Sequence, residues 1–545
     1  MMQTIYFRDH QKSGDTGYDL YRLLTDLRGQ SGVRIVFDKG EYTVTPDRCF
    51  ERSLNISNHG WNGPKRIAAL IEDMTDIELD FSGSTLITPG VITPFAFIRS
   101  KGVTVKNVIM ENPRTQFMQA KVVAHGEGYV DLLKMQGKEQ FRIRHGELVT
   151  DYYECLFTMN THIEYKGDTG EIEWGTADNT MGLGMSEARV EDMGNDILRV
   201  HGVKRYPPIG NILILSGARR LGCGFFCEDT SDILCENVTI HSCYGMGFLA
   251  QTCENITLRC FNTLRHGDQY YSSNADSTHF VNCTGLVTVE NSTFEGQLDD
   301  ALNIHGMYTR IVDKTENEIF VNEVHSQAKG IRIYRAGDRI QVLKPDTLIP
   351  YTEKSIKEVE YVNADLVRLV LCESAEDIVV GDDVESLNRA ADLIFRGNIV
   401  RNNRARGMLI ATRGKTVIEN NYFHSSGSAI LFEANGDYWF ESGGVQDVTI
   451  RNNKFDGCKH ALRGRAVVDV VPRKATEEGK YYNREIKVLD NEFYMVTDVV
   501  AILNNIEHAV FQGNTVTAAE GVSPKVVIGH IGHAEIETDL PVVEE

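Results

Sequence analysis

Short runs of apolar residues, most of them β-branched, recur along much of the chain, and an asparagine interrupts many of them. Residues 235–240 (CENVTI) and 253–258 (CENITL) show the shape of these runs. Short apolar runs rich in β-branched residues predict β-strands rather than helices. The asparagines return at intervals of 18 to 23 residues, as from Asn237 to Asn255, from Asn398 to Asn420 and from Asn491 to Asn514.

A recurrence of this length is typical of a repeat architecture, and a coil of three short strands with sharp turns needs about this many residues. Asparagine suits the bends because it tolerates left-handed backbone angles and can stack on the asparagine of the next coil. A β-sandwich also has short strands, but the Asn-Gly and Asp-Gly signals of hairpins are few here. The fold we expect is all-β, a right-handed parallel β-helix with inserted small β-barrel-like domains.

Two stretches lack the recurring asparagines, which predicts inserted domains there. Residues 16–30 have the apolar spacing of a helix. That helix would cap the open end of the coil, where an exposed strand edge would invite aggregation. The expected order is an N-terminal cap with the first coils (1–117), an inserted β-domain (118–200), coils with the catalytic carboxylates (201–306), a second inserted β-domain (307–390) and C-terminal coils (391–545).

Composition limits the function. The chain has 545 residues and a formal net charge of -21, and such an acidic surface makes nucleic acid an unfavourable partner. No apolar run approaches the roughly 20 residues that span a membrane, so no membrane partner is expected. The N-terminus lacks the apolar core of a secretory signal. The 11 cysteines cannot all pair internally and contain no CxxC motif, so we expect buried thiols in a reducing compartment. The expected location is cytoplasmic, or exported or periplasmic if a signal was removed.

Three carboxylates carry the candidate chemistry. Asp299 and Asp300 are adjacent, and Asp276 lies 23 and 24 residues upstream of them, which is about one coil. Side chains one coil apart start from backbones roughly 5 Å apart. Their mutual repulsion would raise at least one pKa and provide a general acid, while another carboxylate activates water. This is the residue set of a glycoside hydrolase.

The strand that follows the pair predicts which side chains face the cleft. Alternation places Leu302 and Ile304 inside the coil. It places Ala301, Asn303 and His305 outside, with the parity of Asp299. Asp300 would point inward in a regular strand, where an unpaired carboxylate is costly, so we expect a turn at Asp299–Asp300 that brings both to one cleft.

Other functions fit part of this pattern. Clustered carboxylates can bind calcium, as in pectate lyases, and Arg406 or Arg413 could then abstract a proton. A polygalacturonase-like enzyme on another glycan and a β-helix that binds glycans without cleaving them are further alternatives.

Several longer motifs resemble glycoside hydrolase family 110, the α-1,3-galactosidases that act on blood-group-B-type termini. The matching segments are 275–283 (ADSTHFVNC), 296–300 (GQLDD), 303–306 (NIHG), 418–421 (IENN), 428–434 (SAILFEA) and 438–443 (YWFESG). The resemblance covers roughly residues 65–520. It implies a β-helix with inserted barrels, no cofactor or metal, inversion of configuration, a homodimer, and Asp276, Asp299 and Asp300 as the catalytic group. The substrate would be a glycan with terminal α-1,3-galactose.

Further residues are candidates for substrate binding because they lie near these motifs or flank apolar runs close to them. They are His305, Asn303, Asn274, Arg406, Arg413, Glu433, His266 and Asp268. Trp439 could offer a flat platform to a sugar face. The inserted domains are expected to decide whether a fucosylated branch is accepted.

Overall fold

The structure is a computed structural model that describes residues 2–60, 62–113, 116–135, 141–152, 155–217, 219–472 and 474–545. Residues 1, 61, 114, 115, 136–140, 153, 154, 218 and 473, which fall within the predicted domains, lie outside the described residues.

The first section of the chain forms the cap and the first coils. A helix, α1, spans Thr16–Asp26, and 3-10 turns span Phe7–His10 and Pro46–Arg48. The strands are β1 (Gln3–Tyr6), β2 (Ser31–Val36), β3 (Glu41–Thr43), β4 (Phe50–Leu54), β5 (Gly63–Glu72), β6 (Thr75–Ile87), β7 (Ile92–Ile98) and β8 (Lys101–Glu111). The helix confirms the prediction for residues 16–30, and Asp15 caps it by accepting a hydrogen bond from the Tyr18 N–H.

The first inserted domain follows. Its strands are β9 (Phe117–Gly126), β10 (Tyr129–Lys134), β11 (Phe141–Arg144), β12 (Glu147–Tyr152), β13 (Cys155–Thr158), β14 (Thr161–Tyr165), β15 (Arg189–Gly194), β16 (Ile197–His201) and β17 (Ile212–Ser216). They form antiparallel sheets of six and three strands. Strand β17 pairs with β9 and β14, so the domain continues past residue 200, where we expected the coil to resume.

The central coils hold the three carboxylates. Their strands are β18 (Phe225–Glu228), β19 (Ser231–Ile240), β20 (Phe248–Gln251), β21 (Glu254–Thr263), β22 (Thr278–Val281), β23 (Thr284–Glu290), β24 (Thr293–Glu295) and β25 (Leu302–Met307).

A second inserted domain closes into a barrel directly after β25. Its strands are β26 (Thr309–Lys314), β27 (Glu318–Asn322), β28 (Arg339–Leu343), β29 (Pro350–Tyr361), β30 (Leu366–Leu371) and β31 (Asp383–Ser386).

The remaining coils run to the C-terminus. Their strands are β32 (Ala391–Arg396), β33 (Ile399–Arg401), β34 (Met408–Ala411), β35 (Lys415–Glu419), β36 (Tyr422–His424), β37 (Ile430–Phe432), β38 (Glu441–Ser442), β39 (Asp447–Arg451), β40 (Lys454–Asp456), β41 (Val468–Val470), β42 (Asn483–Leu489), β43 (Glu492–Met495), β44 (Val499–Gln512), β45 (Thr515–Ala518), β46 (Lys525–Ile536) and β47 (Val542–Glu544).

Successive coils stack in register as parallel strands, which confirms the predicted parallel β-helix. In one row Thr278 of β22 pairs with Leu302 of β25, which pairs with Met408 of β34. The apolar side chains of the coils form one continuous core from Phe7 to Val526. The second inserted domain therefore interrupts the sequence between β25 and β32 but not the stacking of the coils.

The asparagines serve two purposes at neighbouring positions. Asn420 and Asn452 adopt left-handed backbone angles, with φ of 57° and 53°. The next residue in each coil is buried and stacks: the Asn421 N–H and side-chain amide both donate to the Asn453 side-chain oxygen, at 3.0 and 2.9 Å. Asn453 donates in the same way to Asn491. The ladder satisfies polar backbone groups that the bends would otherwise bury unpaired.

Most cysteines of the central coils are buried thiols, as predicted. Cys223, Cys227, Cys235, Cys253 and Cys283 belong to the apolar core, and these five are unpaired. In the described residues no helix has the length and apolarity required to cross a bilayer.

The ladder makes a prediction about stability. Replacing Asn453 with alanine removes the acceptor of the buried Asn421 N–H, so we expect the free energy of unfolding to fall by about 1–3 kcal/mol, measured by chemical denaturation. Asn317 is exposed and outside the ladder, and its replacement by alanine should change the same quantity by less than about 0.5 kcal/mol. Equal effects at the two positions would contradict a structural role for the ladder.

Candidate active site

A cleft of about 260 Å³ opens on the side of the coils that carries the three carboxylates. Its lining is mostly charged or polar and comes from five separate parts of the chain. The lining residues are Asn58, Arg220, Asp276, Asp299, Asp300, Asn303, Arg404, Arg406, Leu409, Trp439 and Glu441.

The stacking of β22 and β25 places the carboxylates together. Asp276 and Asp300 each precede the strand residues that pair, Thr278 and Leu302, by two positions. The Asp300 N–H donates to the Asp276 Oδ1 at 3.3 Å. One carboxylate oxygen of each of Asp276, Asp299 and Asp300 lies within 4.8 Å of the others. The repeat length therefore brings the three predicted residues to one point.

Three arginines surround the carboxylates. The Arg220 guanidinium donates to Asp299 at 2.7 Å, and that of Arg404 to the same carboxylate at 3.3 Å. Arg406 donates to Asp300 from its backbone N–H at 2.9 Å and from its guanidinium at 2.7 Å. These guanidinium groups offset much of the negative charge of Asp299 and Asp300, whereas Ca²⁺ is held by uncompensated carboxylates. This argues against the calcium-site interpretation.

The three carboxyl groups differ in pKa because their surroundings differ. Burial raises the pKa of Asp299, but Arg404 and Arg220 outweigh it and hold that pKa below its ordinary value. Burial and the charge of Asp299 raise the pKa of Asp276 to about 7. Burial also raises the pKa of Asp300 well above its ordinary value, although Arg406 opposes this. The site thus holds a carboxylate beside carboxyl groups that keep a proton near neutral pH.

The alternation after Asp300 is confirmed for the interior residues and wrong for Ala301. Leu302 and Ile304 lie in the apolar core, as predicted, but Ala301 lies there too, because the backbone bends at this residue before the strand begins. Asn303 lines the cleft. The bend expected near the pair is present at Asp299, and Asp300 reaches the cleft while remaining buried.

His305 lies behind the cleft rather than in its lining. Its Nε2 is 3.0 Å from the Nε2 of His279, whose Nδ1 is 2.6 Å from Asp276. Both rings are buried. His305 therefore reaches the carboxylates through a second histidine.

Besides His305, five more of the expected binding residues do not line the cleft. Asn274 is buried and donates to the carbonyl of Arg219 at 2.6 Å, so it supports the segment that carries Arg220. Arg413 pairs with Glu385 of the second inserted domain at 3.2 Å.

The other three lie on the outside of the coils. His266 pairs with Glu111 at 2.6 Å, and Asp268 is an exposed loop residue. Glu433 is half-buried and is not among the residues of the cleft lining. Nearness in sequence to the motifs suggested these residues, but side chains that leave a coil at other positions face other sides of the helix.

Several cleft residues were missed by the reasoning from sequence. Arg404 lies two positions before Arg406 and therefore has the same parity, which would have indicated that it faces the same side as Arg406. Glu441 lies within the quoted motif 438–443 but was not assigned to the site, whereas Trp439, named from the sequence as a sugar platform, does line the cleft. Asn58 and Arg220 had no local signal, because each reaches the cleft from a distant segment.

The first inserted domain contacts the site through Asp178. This carboxylate forms ion pairs with Arg404 and Arg463, and the guanidinium of Arg404 bridges from Asp178 to Asp299. Burial raises the pKa of Asp178, but the two arginines lower it to about 2. A charged residue of the inserted domain therefore positions a cleft arginine.

Aromatic side chains form one rim of the cleft. Trp439 lines the cleft and is 37% exposed, and Tyr438 beside it is 63% exposed. His325, from the second inserted domain, lies 4.8 Å from the Trp439 ring and 5.4 Å from the Tyr438 ring. Such faces suit the apolar side of a sugar ring.

Comparisons with known proteins agree with this architecture. Residues 118–213 match the family model described as GLAA-B beta-barrel domain I, and residues 318–384 match GLAA-B beta-barrel domain II. Residues 385–529 match the right handed beta helix region, which confirms the expected handedness.

Curated relatives share most of their length with the chain. An "Alpha-1,3-galactosidase B" of Phocaeicola vulgatus is 29% identical over 91% of this chain and 88% of its own length. An "Alpha-1,3-galactosidase A" of Shewanella woodyi is 28% identical over 92% of this chain and 84% of its own. Among solved structures, a family 28 exopolygalacturonase of Yersinia enterocolitica matches with a TM-score of 0.42 and 12% identity, over 99% of this chain and 79% of that one.

The two barrel models and the relatives, which match along about nine-tenths of the chain, agree with the family that the motifs resemble. Over most of its length the chain resembles the α-1,3-galactosidases of glycoside hydrolase family 110.

Proposed function

We propose that the protein is an exo-acting, inverting α-1,3-galactosidase that releases terminal galactose from blood-group-B-type or linear Gal-α-1,3-Gal glycans. The observation that carries this proposal is the cluster of Asp276, Asp299 and Asp300 in a cleft, with one carboxylate oxygen of each within 4.8 Å of the others. The names of the relatives supply the substrate class.

The cluster supplies an acid and a base. Asp300, the member of the pair that keeps its proton, protonates the glycosidic oxygen as the bond to the anomeric carbon breaks. Asp276 takes a proton from the water that attacks that carbon. The arginines lower the energy of the carboxylate form beside them, so one cleft holds both protonation states at the same pH.

The rest of the cleft fits a neutral sugar. Asn58 and Asn303 offer amide groups to hydroxyls, and Trp439 offers an apolar face. A small cleft of about 260 Å³ suits a terminal residue better than an internal unit of a polymer. We further propose that the protein acts as a homodimer without a cofactor, as the family resemblance implies.

A substrate panel tests the activity together with its residues. The wild-type protein should release galactose from Gal-α-1,3-Gal and from the blood-group-B trisaccharide, but no sugar from polygalacturonate. Because the carboxylates perform the proton transfers, Asp276→Asn and Asp300→Asn should each lower kcat by about 10²–10⁴-fold with the fold intact by circular dichroism.

The panel also separates the roles of the pair. α-Galactosyl fluoride needs no protonation of its leaving group, so the variant that lacks the acid, Asp300→Asn rather than Asp299→Asn, should keep much of its rate on this substrate. Asp268→Asn, which changes an exposed carboxylate outside the cleft, is the control. Near-wild-type turnover of the disaccharide by both Asp276→Asn and Asp300→Asn would sink the assignment.

The anomer of the first product tests inversion. Carboxyl groups stand about 6.5–9.5 Å apart in inverting glycosidases and about 5 Å apart in retaining ones. The 4.8 Å within the cluster joins nearest oxygens rather than carboxyl groups, and inversion rests on the family motifs. We expect a proton NMR time course to show β-galactose before mutarotation, whereas α-galactose as the first product would exclude inversion.

A further inference from the structure

Two buried histidines stand in line behind Asp276. The His279 Nδ1 lies 2.6 Å from the Asp276 Oδ2, and the His279 Nε2 lies 3.0 Å from the His305 Nε2. The His305 Nδ1 lies 2.6 Å from the carbonyl oxygen of Gly306. Neither ring lines the cleft, and their side chains are 0% and 2% exposed. The row therefore connects Asp276 to the interior and not to the substrate.

The acceptors at the far end fix where the protons lie. A carbonyl oxygen only accepts, so the His305 Nδ1 carries a hydrogen. If His305 is neutral, its Nε2 accepts from the His279 N–H, and a proton then lies between His279 Nδ1 and Asp276. If His305 is an imidazolium, its Nε2 donates to His279, and the His279 Nδ1–H donates to an Asp276 carboxylate.

These arrangements contain the same number of protons. They differ only in whether one proton resides on Asp276, on His279 or on His305. Moving it from Asp276 to His305 breaks the Asp276 O–H bond, transfers a hydrogen across each of two existing hydrogen bonds, and leaves a carboxylate and an imidazolium. No heavy atom has to move, and no oxidant or further reactant is required.

Glu441, a carboxylate beside His305, favours the arrangement in which the proton resides on His305. The Glu441 Oε1 is 3.6 Å from the His305 Nε2 and accepts a hydrogen bond from the Asn58 amide at 3.1 Å. Burial raises the pKa of Glu441, but the two histidines and Asn58 outweigh this and keep that pKa below its ordinary value. A positive ring at His305 would therefore be paired and not isolated.

Other charged or titratable groups also face the row. They are Asp299, Asp300, Arg220, Arg406, His59 and His325. Burial and His305 lower the pKa of His279, while Glu441 opposes this. A positive charge is thus unfavourable on His279, the ring in the middle of the row.

We infer that His279 and His305 form a buried proton relay, with Glu441 as the counter-charge beside His305, that sets the protonation of Asp276. This inference rests on the proposed function, in which Asp276 must be a carboxylate to accept a proton from water. The relay removes the proton from Asp276 without releasing it to the cleft. His279 and His305 are positioning residues, because they act through Asp276.

The first test needs no activity. In protein labelled with ¹⁵N at histidine, the His305 Nδ1 should be protonated throughout, and the His279 nitrogen shifts should change between about pH 5 and 8. Asp276→Asn should abolish that change, because the amide cannot lose a proton. His279 shifts that do not respond to pH and are the same in Asp276→Asn would overturn the relay.

The second test follows kcat/KM for Gal-α-1,3-Gal against pH. His305→Gln should move the pH limits of this profile by about one unit or more and leave KM unchanged, since a neighbouring ionisable group has been lost. A purely structural role would lower kcat equally at every pH, and that result would contradict the relay. His279→Gln should act in the same direction, and if it fails to fold, His305→Gln and the wild-type spectra carry the test.

His162→Gln is the matched control. His162 is also fully buried, but it lies in the first inserted domain, where its Nε2 accepts a hydrogen bond from the Met181 N–H at 3.1 Å. Its loss should leave the pH profile in place. If the wild-type protein cleaves no galactoside, the proposed function fails, while the histidine spectra still accept or reject the relay.

Discussion

The site depends on keeping three acidic side chains together away from bulk water. Like charges at the separation of Asp276, Asp299 and Asp300 repel strongly in a low dielectric. Without positively charged partners, each carboxyl group would keep its proton. Arg220, Arg404 and Arg406 change this balance by donating to the adjacent pair. Asp276 accepts no guanidinium hydrogen bond from the part of the chain that the structure describes, so one proton is held on that side of the cluster while Asp299 stays ionised.

The coil and the inserted domains contribute differently to this arrangement. The stacked strands fix where the carboxylates leave the backbone, because the register of β22 on β25 repeats at every coil. The asparagine ladder keeps the bends satisfied without water, which gives the coils a rigid edge. The inserted domains supply what the repeat lacks: Asp178 orients Arg404, and His325 completes the aromatic rim.

The sequence predicted the features that follow from the repeat. The interval of 23 residues brought Asp276 to Asp299, because strand spacing in a parallel coil is nearly constant. The motifs gave the family resemblance, and the alternation gave the interior positions of Leu302 and Ile304. These features needed only local pattern and one periodic distance.

Other parts of the site had no such signal. Arg220 is 79 positions from its partner Asp299, and Asn58 is 383 positions from Glu441, so neither contact follows from the repeat. Ala301 departs from the alternation because the chain bends just before β25, and alternation applies only within a regular strand. The ionisation of the carboxylates depends on these distant arginines and could therefore not be predicted from the sequence.

The central claim is that the arginines separate the ionisation of the three carboxylates. A ¹³C NMR titration of the aspartate carboxyl groups, assigned through the single Asn variants, measures this directly. The account predicts that Asp276 titrates near pH 7 and that Asp299 remains ionised to below its ordinary pKa. An Asp276 that is fully ionised at neutral pH, beside an Asp299 that holds the proton, would contradict it.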